Sequence, residues 1–457
     1  MRSRSRFMVL VLSLALPAGL LGPAQARVAD DHTENFIRKA QVPIKIDKEL
    51  MAEGSDLAFK DDLLIAGTYQ GPAIFKMTKS KPFVKQIGFA YCPGGQGDVS
   101  VLGNYVFLSV DTALVGETCS VEDTTAAGAP QYAAGDGWEG VRIFDISNPT
   151  RPRWVASVDA PCGSHTHTLL PGKKTSYLYV NSYPISGQGS DCNYASHRQV
   201  QIIEFPTANP AKAKLLDETI DVSPALGCHD ITTFPDRKIM AGACINQSMI
   251  WDIEDPTNPT LLSTIYNPRI QIHHSTAMTW DGQVLVLGDE TGGAAAGGGP
   301  GHKDSQTGAA WFYDVSDPSN PTELGSHSYP RTPQLPAGPG EAGRSRWTNH
   351  NFNVIPLRNS DKYLLAVSYY LGGIAVVDFT DPANTEELAH YVIDPAEEGQ
   401  QDTWSSYWYN GRIYTNDYQS RMGIGVYEFK GTTSPSTTHF FRGEMNPQVQ
   451  FAGNLRR

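Results

Sequence analysis

The chain has 457 residues, a net charge of −12 and a composition that is 40% hydrophobic and 18% charged. That length suffices for a large buried core, and no basic patch or positively charged groove interrupts the acidic balance. Nucleic acid and anionic membrane surfaces are excluded on these grounds, which leaves a small-molecule substrate as the expected partner; nothing in the pattern bears on the oligomeric state.

At the N-terminus Arg2, Arg4 and Arg6 precede the apolar run FMVLVLSLALPAGLL, and Ala24 and Ala26 follow it. This order predicts a secretory signal over 1–26, cut after Ala26, and hence a secreted or periplasmic protein. The run is short and broken by Pro17, no cysteine stands at the cut to carry a lipid, and no later stretch is long and apolar enough to span a bilayer. One mature domain, 27–457, is expected.

Further along, one motif recurs at the end of apolar runs: FDISNPTRP (144–152), WDIEDPTNP (251–259), YDVSDPSNP (313–321) and VDFTDPANT (377–385), with a weaker copy in IEFPTANPAKA (203–213). Asp and Asn accept local backbone N–H groups and proline fixes φ, so each copy predicts a turn between two strands. Two more alternating runs lead into each unit, as in HDITTFP, IMAGACI and SMIWDI before TLLSTIY. Four short antiparallel strands per unit is the pattern of a propeller blade. Seven units result, with first strands beginning near Asp56, Asp98, His165, His229, His274, His350 and Trp404. The last unit, TWSSYWY, RIYTNDY and GIGVYEF, lacks a clear outer strand, and NFIRKAQVPI (35–44) matches the outer strands of the others. The expected fold class is therefore all-β, a seven-bladed β-propeller of four-stranded antiparallel blades closed by an N-terminal strand. Residues 432–457 are expected beside that closure or trailing from it.

The FDISNP…P repeats resemble the LVIVD-repeat family of exported bacterial β-propellers, over nearly the whole of the mature chain. The resemblance implies the fold and says little about activity.

Aligned on the first strand and the turn after it, CGSHTHTLLPGKK, GCHDITTFPDRK, IHHSTAMTWDGQ and TNHNFNVIPLRN superimpose, so His165, His229, His274 and His350 share one register in four successive blades. First strands line a propeller's channel, and their starting ends lie on the face that carries the loops between second and third strands. Four imidazoles there converge as ligands for a transition metal ion: copper or iron first, zinc or manganese as alternatives. A hydrogen-bonded structural ring is the competing reading. In the other blades the register falls near Ser55, Gly97 and Thr403, which leaves one side of an ion open. The ligand placement is similar to the four-histidine iron site of carotenoid-cleaving oxygenases and to the metal-binding propellers of the selenium-binding and methanethiol-oxidase type.

Six cysteines allow fifteen pairings. Cys92, Cys162 and Cys228 precede first strands, and Cys119, Cys192 and Cys244 follow the second strands of the same blades. Antiparallel neighbours bring these ends together, so Cys92–Cys119, Cys162–Cys192 and Cys228–Cys244 are expected. The alternative is Cys228 as a thiolate ligand. Long loops, 112–138, 183–198, 290–310 and 327–348, fall on the same face; the third contains GGAAAGGGPGHKDS, and the fourth carries Arg344, Arg346 and Trp347. Such loops act as lids or specificity walls, or are plain surface insertions.

Asp289 and Glu290 end the second strand of the His274 blade, where either can hold a ligand imidazole in one tautomer. His273 and Asp289 are the candidates for proton transfer, with His273 on the opposite side of a regular strand, and His167 shares the face of His165 one step deeper. No phosphate-binding glycine loop, nucleophile elbow or HExxH motif is present. The leading functional expectation is a metal-dependent oxidoreductase acting on a small organic substrate at the channel mouth. A metal-dependent lyase or hydrolase of acidic saccharides, or a non-catalytic binding or scaffold propeller, are the alternatives.

Overall fold

The computed structural model describes residues 30–113, 115–120, 137–184, 192–193, 195–290, 308–330, 348–357, 360–393, 401–431 and 443–451. The signal segment, most of the four long loops, and Arg344, Arg346 and Trp347 lie outside these residues. Within them the strands form seven antiparallel sheets. From inner to outer strand, blade 1 runs from Gly54–Lys60 to Val84–Phe89, blade 2 from Val99–Leu102 to Arg153–Asp159, and blade 3 from Thr166–Leu170 to Lys214–Asp221. Blade 4 runs from Asp230–Phe234 to Thr260–Ile265, blade 5 from His273–Met278 to Thr322–His327, and blade 6 from Phe352–Ile355 to Glu386–Val392. Blade 7 has Thr403–Tyr409, Arg412–Asp417 and Ile424–Phe429, and its outermost strand is Phe36–Val42 from the N-terminus. The expected closure by 35–44 is found.

Neighbouring blades bury both faces of each sheet, which is why the inner strands are buried along nearly their whole length and exposure is concentrated on the outer ones. In blade 4 every residue of Asp230–Phe234 and Ile239–Ala243 is buried, whereas in Thr260–Ile265 only Ile265 is. Apolar clusters sit between blades: Tyr179 and Val200 pack with Met240 and Trp251, and Phe234 and Ile239 with Leu285 and Trp311. Truncating a fully buried tryptophan such as Trp251 or Trp311 to alanine costs about 3–5 kcal/mol.

The repeated turns obey the predicted chemistry. Asp145, Asp252, Asp314 and Asp378 each accept the N–H two residues on, from Ser147, Glu254, Ser316 and Thr380. Asp255, Asp317 and Asp381 then do the same for Thr257, Ser319 and Ala383. These paired turns also dock on the preceding blade. The Pro318 carbonyl accepts Ser263 Oγ at 2.7 Å, the Pro256 carbonyl accepts Tyr179 OH at 3.0 Å, and Pro149 O lies where a Cβ at Gly88 would be.

Around the channel, hydroxyls of one inner strand bond carbonyls of the next. Ser405 donates to Ser55 O at 2.9 Å, Ser55 to Gly97 O at 3.1 Å, Thr168 to Ile231 O at 2.6 Å, Thr232 to Thr276 O at 2.6 Å, and Ser275 to His350 O at 2.8 Å. Ser368 donates to Trp404 O at 3.0 Å, and between blades 2 and 3 the His167 N–H donates to the Asp98 carboxylate at 2.8 Å. Small polar residues are thus needed at the innermost positions, and they fix the height of each strand against the next.

The C-terminal segment departs from expectation. Its described part, residues 443–451, neither flanks the seam nor trails; it crosses the channel at the ends of the inner strands. Glu444–Met445 pairs with Phe59 and Lys60 of blade 1. The Asn446 amide accepts from Val101 N at 2.7 Å and donates to Val101 O at 2.9 Å, as a peptide group would. Gln450 repeats the device on Met278, and Val449 bridges Thr233 of blade 4. The segment therefore ties blades 1, 2, 4 and 5 together and plugs that end of the channel.

Cys92–Cys119, Cys162–Cys192 and Cys228–Cys244 are the three disulfides, and no free cysteine remains. Cys228 is therefore not a thiolate ligand. Their sequence separations of 27, 30 and 16 residues correspond to about 3–4 kcal/mol each in loop entropy. Replacing the Cys162–Cys192 pair by serines is expected to lower unfolding free energy by that amount in urea titrations; an unchanged midpoint would refute the assignment of stability to this bond. Among the described residues, no helix is long and apolar enough to cross a membrane.

Candidate metal centre

The strand register builds the site. His165, His229 and His350 stand just before their inner strands and donate their N–H to Asn181, Ala243 and Ser368 of the second strands, at 2.9, 2.8 and 2.9 Å. In blade 5 a bulge between His273 and Ser275 brings His274 to the same place. Thr166 donates to His229 O and Ser275 to His350 O, so the inter-blade belt fixes two of the four backbones directly. The four rings form a continuous arc, with centroids 4.5 Å apart for His165–His229, 3.7 Å for His229–His274 and 4.4 Å for His274–His350.

Blade 7 repeats the bulge of blade 5, between Thr403 and Ser405. The seventh member of the ring is therefore Trp404 and not Thr403, and its indole lies 4.5 Å from the His350 ring. Only Ser55 and Gly97, in blades 1 and 2, leave the ring open.

Hydrogen bonds at the ring nitrogens fix the protonation of the two end histidines. Asp111 Oδ2 lies 2.7 Å from His165 Nδ1, and the Trp404 carbonyl oxygen lies 2.6 Å from His350 Nδ1. Both partners only accept, so both Nδ1 atoms carry the proton and the lone pair of each ring lies on Nε2. His165 Nε2 and His229 Nε2 stand 2.9 Å apart. Two nitrogens held by one ion at about 2.0–2.1 Å stand about 2.9 Å apart at a right angle and about 3.4 Å apart at a tetrahedral angle. His229 Nδ1 and both ring nitrogens of His274 have no hydrogen-bond partner, and His274 is fully buried. Each such orphan costs about 1–3 kcal/mol.

Two carboxylates lie beside the imidazoles. The ligand atoms of His274, Glu290 and His350 all lie within 4.8 Å of one another, as do those of His229, Asp230 and His274. Glu290 is 3.5 Å from His274 Nε2 and 4.0 Å from His350 Nε2. Burial, then the fields of His165 and His350, push the His229 imidazole well below its ordinary range. Burial, then His229 and His165, do the same to His274. Both are neutral at physiological pH, the state that binds a metal.

A second ring surrounds the first. Just past the end of each second strand the chain turns over the mouth, and Tyr69, Asp111, Tyr183, Ile245, Glu290, Tyr370 and Tyr418 stand there in blades 1 to 7. Tyr183 packs on His165 and His229 at 4.9 and 5.2 Å, Tyr370 on His350 at 4.5 Å, and Tyr69 and Tyr418 on Trp404 at 6.4 and 5.9 Å. Apart from Glu290, sequence reasoning missed this ring. Its signal was the recurring tyrosine after the second strand in GTYQ, NSYP, VSYY and NDYQ.

The two expected proton-transfer residues lie elsewhere. His273 faces away from the arc, with Nδ1 2.7 Å from Ser248 Oγ, and the Asp289 carboxylate accepts the N–H groups of Ile272 and Gln271. His273 Nδ1 and one Asp289 oxygen are thus committed to holding strands and the entering loop. His167 is buried between Ser100 and Ser109, at 2.7 and 2.8 Å, and burial pushes it down to about 3.

One step deeper, Asp56, Asp98 and Asp230 share a register and are all buried. Burial pushes Asp56 up to about 6 and Asp230 up to about 7, and raises Asp98 well above the carboxylate range. A raised folded value means the native state holds more protons than the unfolded one between about pH 4 and 6, so this group's contribution to stability declines as pH rises through that window. Asp56→Asn removes the slope. Its unfolding free energy relative to the native chain is expected to improve steadily from pH 4 to pH 7, and parallel pH profiles would contradict the assignment.

The LVIVD repeat matches residues 132–160 and 313–328, the turn regions of blades 2 and 5. No curated protein matches the sequence. Among solved structures the fold is similar to the periplasmic gluconolactonase of Pseudomonas aeruginosa, at 10% identity over 73% of this chain and 83% of that one with a TM-score of 0.45. It is also similar to Kuenenia stuttgartiensis hydrazine synthase, at 11% identity over 80% of this chain and 92% of that one with a TM-score of 0.49. Neither activity transfers at this degree of likeness. The chain carries two matches to the LVIVD repeat and folds as a seven-bladed β-propeller.

Proposed function

We propose that the mature chain, 27–457, is a secreted or periplasmic metal-dependent oxidoreductase that holds copper or iron on His165, His229, His274 and His350. One observation carries the reading: four buried imidazoles touch in sequence, yet His274 has no hydrogen-bond partner at either nitrogen. An arc evolved as a structural hydrogen-bonded ring would satisfy those atoms, and a shared ion does so at once. Three disulfides fit an oxidising compartment.

The donor set favours redox chemistry. Neutral imidazoles suit copper and iron, and they add no charge that would lock one oxidation state. Asp111 and the Trp404 carbonyl hold the end histidines in the binding tautomer, as outer partners of metal ligands do. The gap at Ser55 and Gly97 leaves positions for dioxygen or a small organic reductant. Glu290 stands where it can take or return a proton. With the far end of the channel plugged by 443–451, reactants enter and leave on the histidine face.

Protein purified from copper- or iron-supplemented cultures is expected to hold about one ion per chain and to cycle reversibly between dithionite and air. Zinc-loaded, redox-silent protein that cleaves a polyuronide would replace this reading with the hydrolytic one. Protein that retains no transition metal would end it.

A further inference from the structure

We propose that Tyr370 is a redox-active residue that supplies one electron and one proton to an oxidant at the metal centre. The inference rests on the metal reading above and extends it to a residue that does not bind the ion.

Tyr370 is 1% exposed and held in the left-handed region at φ 44°. That conformation belongs to the architecture: Ile245, its counterpart in blade 4, has φ 63° and likewise bridges to the start of the next blade. The side chain is what differs. Ile245 offers nothing to the centre, whereas the Tyr370 ring lies 4.5 Å from the His350 ring and 5.8 Å from Trp404. Its hydroxyl donates to Glu290 Oε1 at 2.5 Å. The other Glu290 oxygen is 3.5 Å from His274 Nε2.

A phenol gives up an electron readily only when its proton can leave with it, because the oxidised phenol is a strong acid. Tyr370 has both exits: van der Waals contact with a ligand imidazole for the electron, and a short charge-assisted hydrogen bond to a carboxylate for the proton. Backbone hydrogen bonds from Thr403 N and Gly373 N, at 3.0 and 3.3 Å, hold its carbonyl, so the geometry is fixed before any reaction.

With hydrogen peroxide as oxidant the balance is simple. Breaking the O–O bond takes two electrons and two protons. A bound ion in its reduced state would supply one electron, and Tyr370 gives the second. The phenolic proton, passed through Glu290, and one proton from solvent complete two water molecules. Tyr370 is left as a neutral phenoxyl radical, and a small organic one-electron reductant with a proton from solvent returns it to the phenol; a second electron from the same reductant would restore the ion.

The test is electron paramagnetic resonance of protein loaded with ferrous or cuprous ion and freeze-quenched after peroxide. Metal content and melting temperature are measured first on every sample. The native chain is expected to give a phenoxyl signal. Tyr370→Phe, with unchanged metal content, is expected to lose it at least tenfold. Glu290→Gln keeps the packing of Tyr370 and removes the proton acceptor, so it should lower the yield even if Tyr370→Phe folds poorly. A signal of equal size in Tyr370→Phe, or none in fully loaded native protein, overturns the proposal and leaves the metal reading intact. A native chain that holds no ion overturns both.

Discussion

Replacing His274 by alanine is expected to release the metal while leaving the metal-free fold almost unharmed. His274 is the middle of the arc, within contact of both His229 and His350. Losing it removes one donor and the spacer between two others, so affinity should fall at least about a hundredfold, or about 3 kcal/mol. The effect on the metal-free protein has two opposed parts. A buried side chain is lost, which leaves a cavity. Two buried nitrogens without partners are lost with it, which relieves about 1–3 kcal/mol each. The net change in metal-free stability is expected to lie within about 1 kcal/mol. Elemental analysis and urea titration with and without chelator read the two effects separately. A variant that keeps its metal, or whose metal-free form is severely destabilised, would mark His274 as a structural residue.

Removing the C-terminal plug is expected to have the opposite signature. Asn446→Ala strips a bidentate amide from Val101 in a buried position and leaves an N–H and a C=O of the inner strand of blade 2 unpaired. Two orphaned backbone groups cost about 2–6 kcal/mol together. Truncation before Gly443 removes this, the Gln450 bonds to Met278, the Glu444 bond to Gly103 and the bridge to Thr233. The truncated chain is expected to unfold many degrees lower. Metal affinity of the part that remains folded should be preserved, because the histidine ring is at the other end of the channel. Differential scanning calorimetry of the two variants decides; melting within a degree or two of the native chain would show that the segment merely rests on the channel.

Comparing sequence and structure shows which features have a local signal. The Asp-Pro turns, the blade count and the closing strand were legible because each repeat restates the same turn chemistry and strand period. The disulfides and the four histidines were legible because they obey that repeat. The tyrosine after the second strand also repeats and was overlooked; the other missed features do not repeat in sequence. The bulge at Thr403–Ser405 moves the register by one residue, and a bulge leaves no mark in a hydrophobic pattern, so Trp404 was passed over for Thr403. Residues 443–451 join blades 1 and 4 through backbone pairing and blades 2 and 5 through single amide side chains, with no period to betray them. His273 and Asp289 were singled out by neighbourhood in sequence. In space the strand alternation sends His273 to Ser248, and the turn after Asp289 hands its place in the site to Glu290.

Anomalous X-ray diffraction from crystals of copper- or iron-loaded protein tests the central claim most directly. The account predicts one strong peak at the channel mouth, about 2.0–2.2 Å from a ring nitrogen of each of His165, His229, His274 and His350. A peak bound elsewhere on the chain, or loaded crystals in which the four imidazoles bond only to one another and to water, would contradict it.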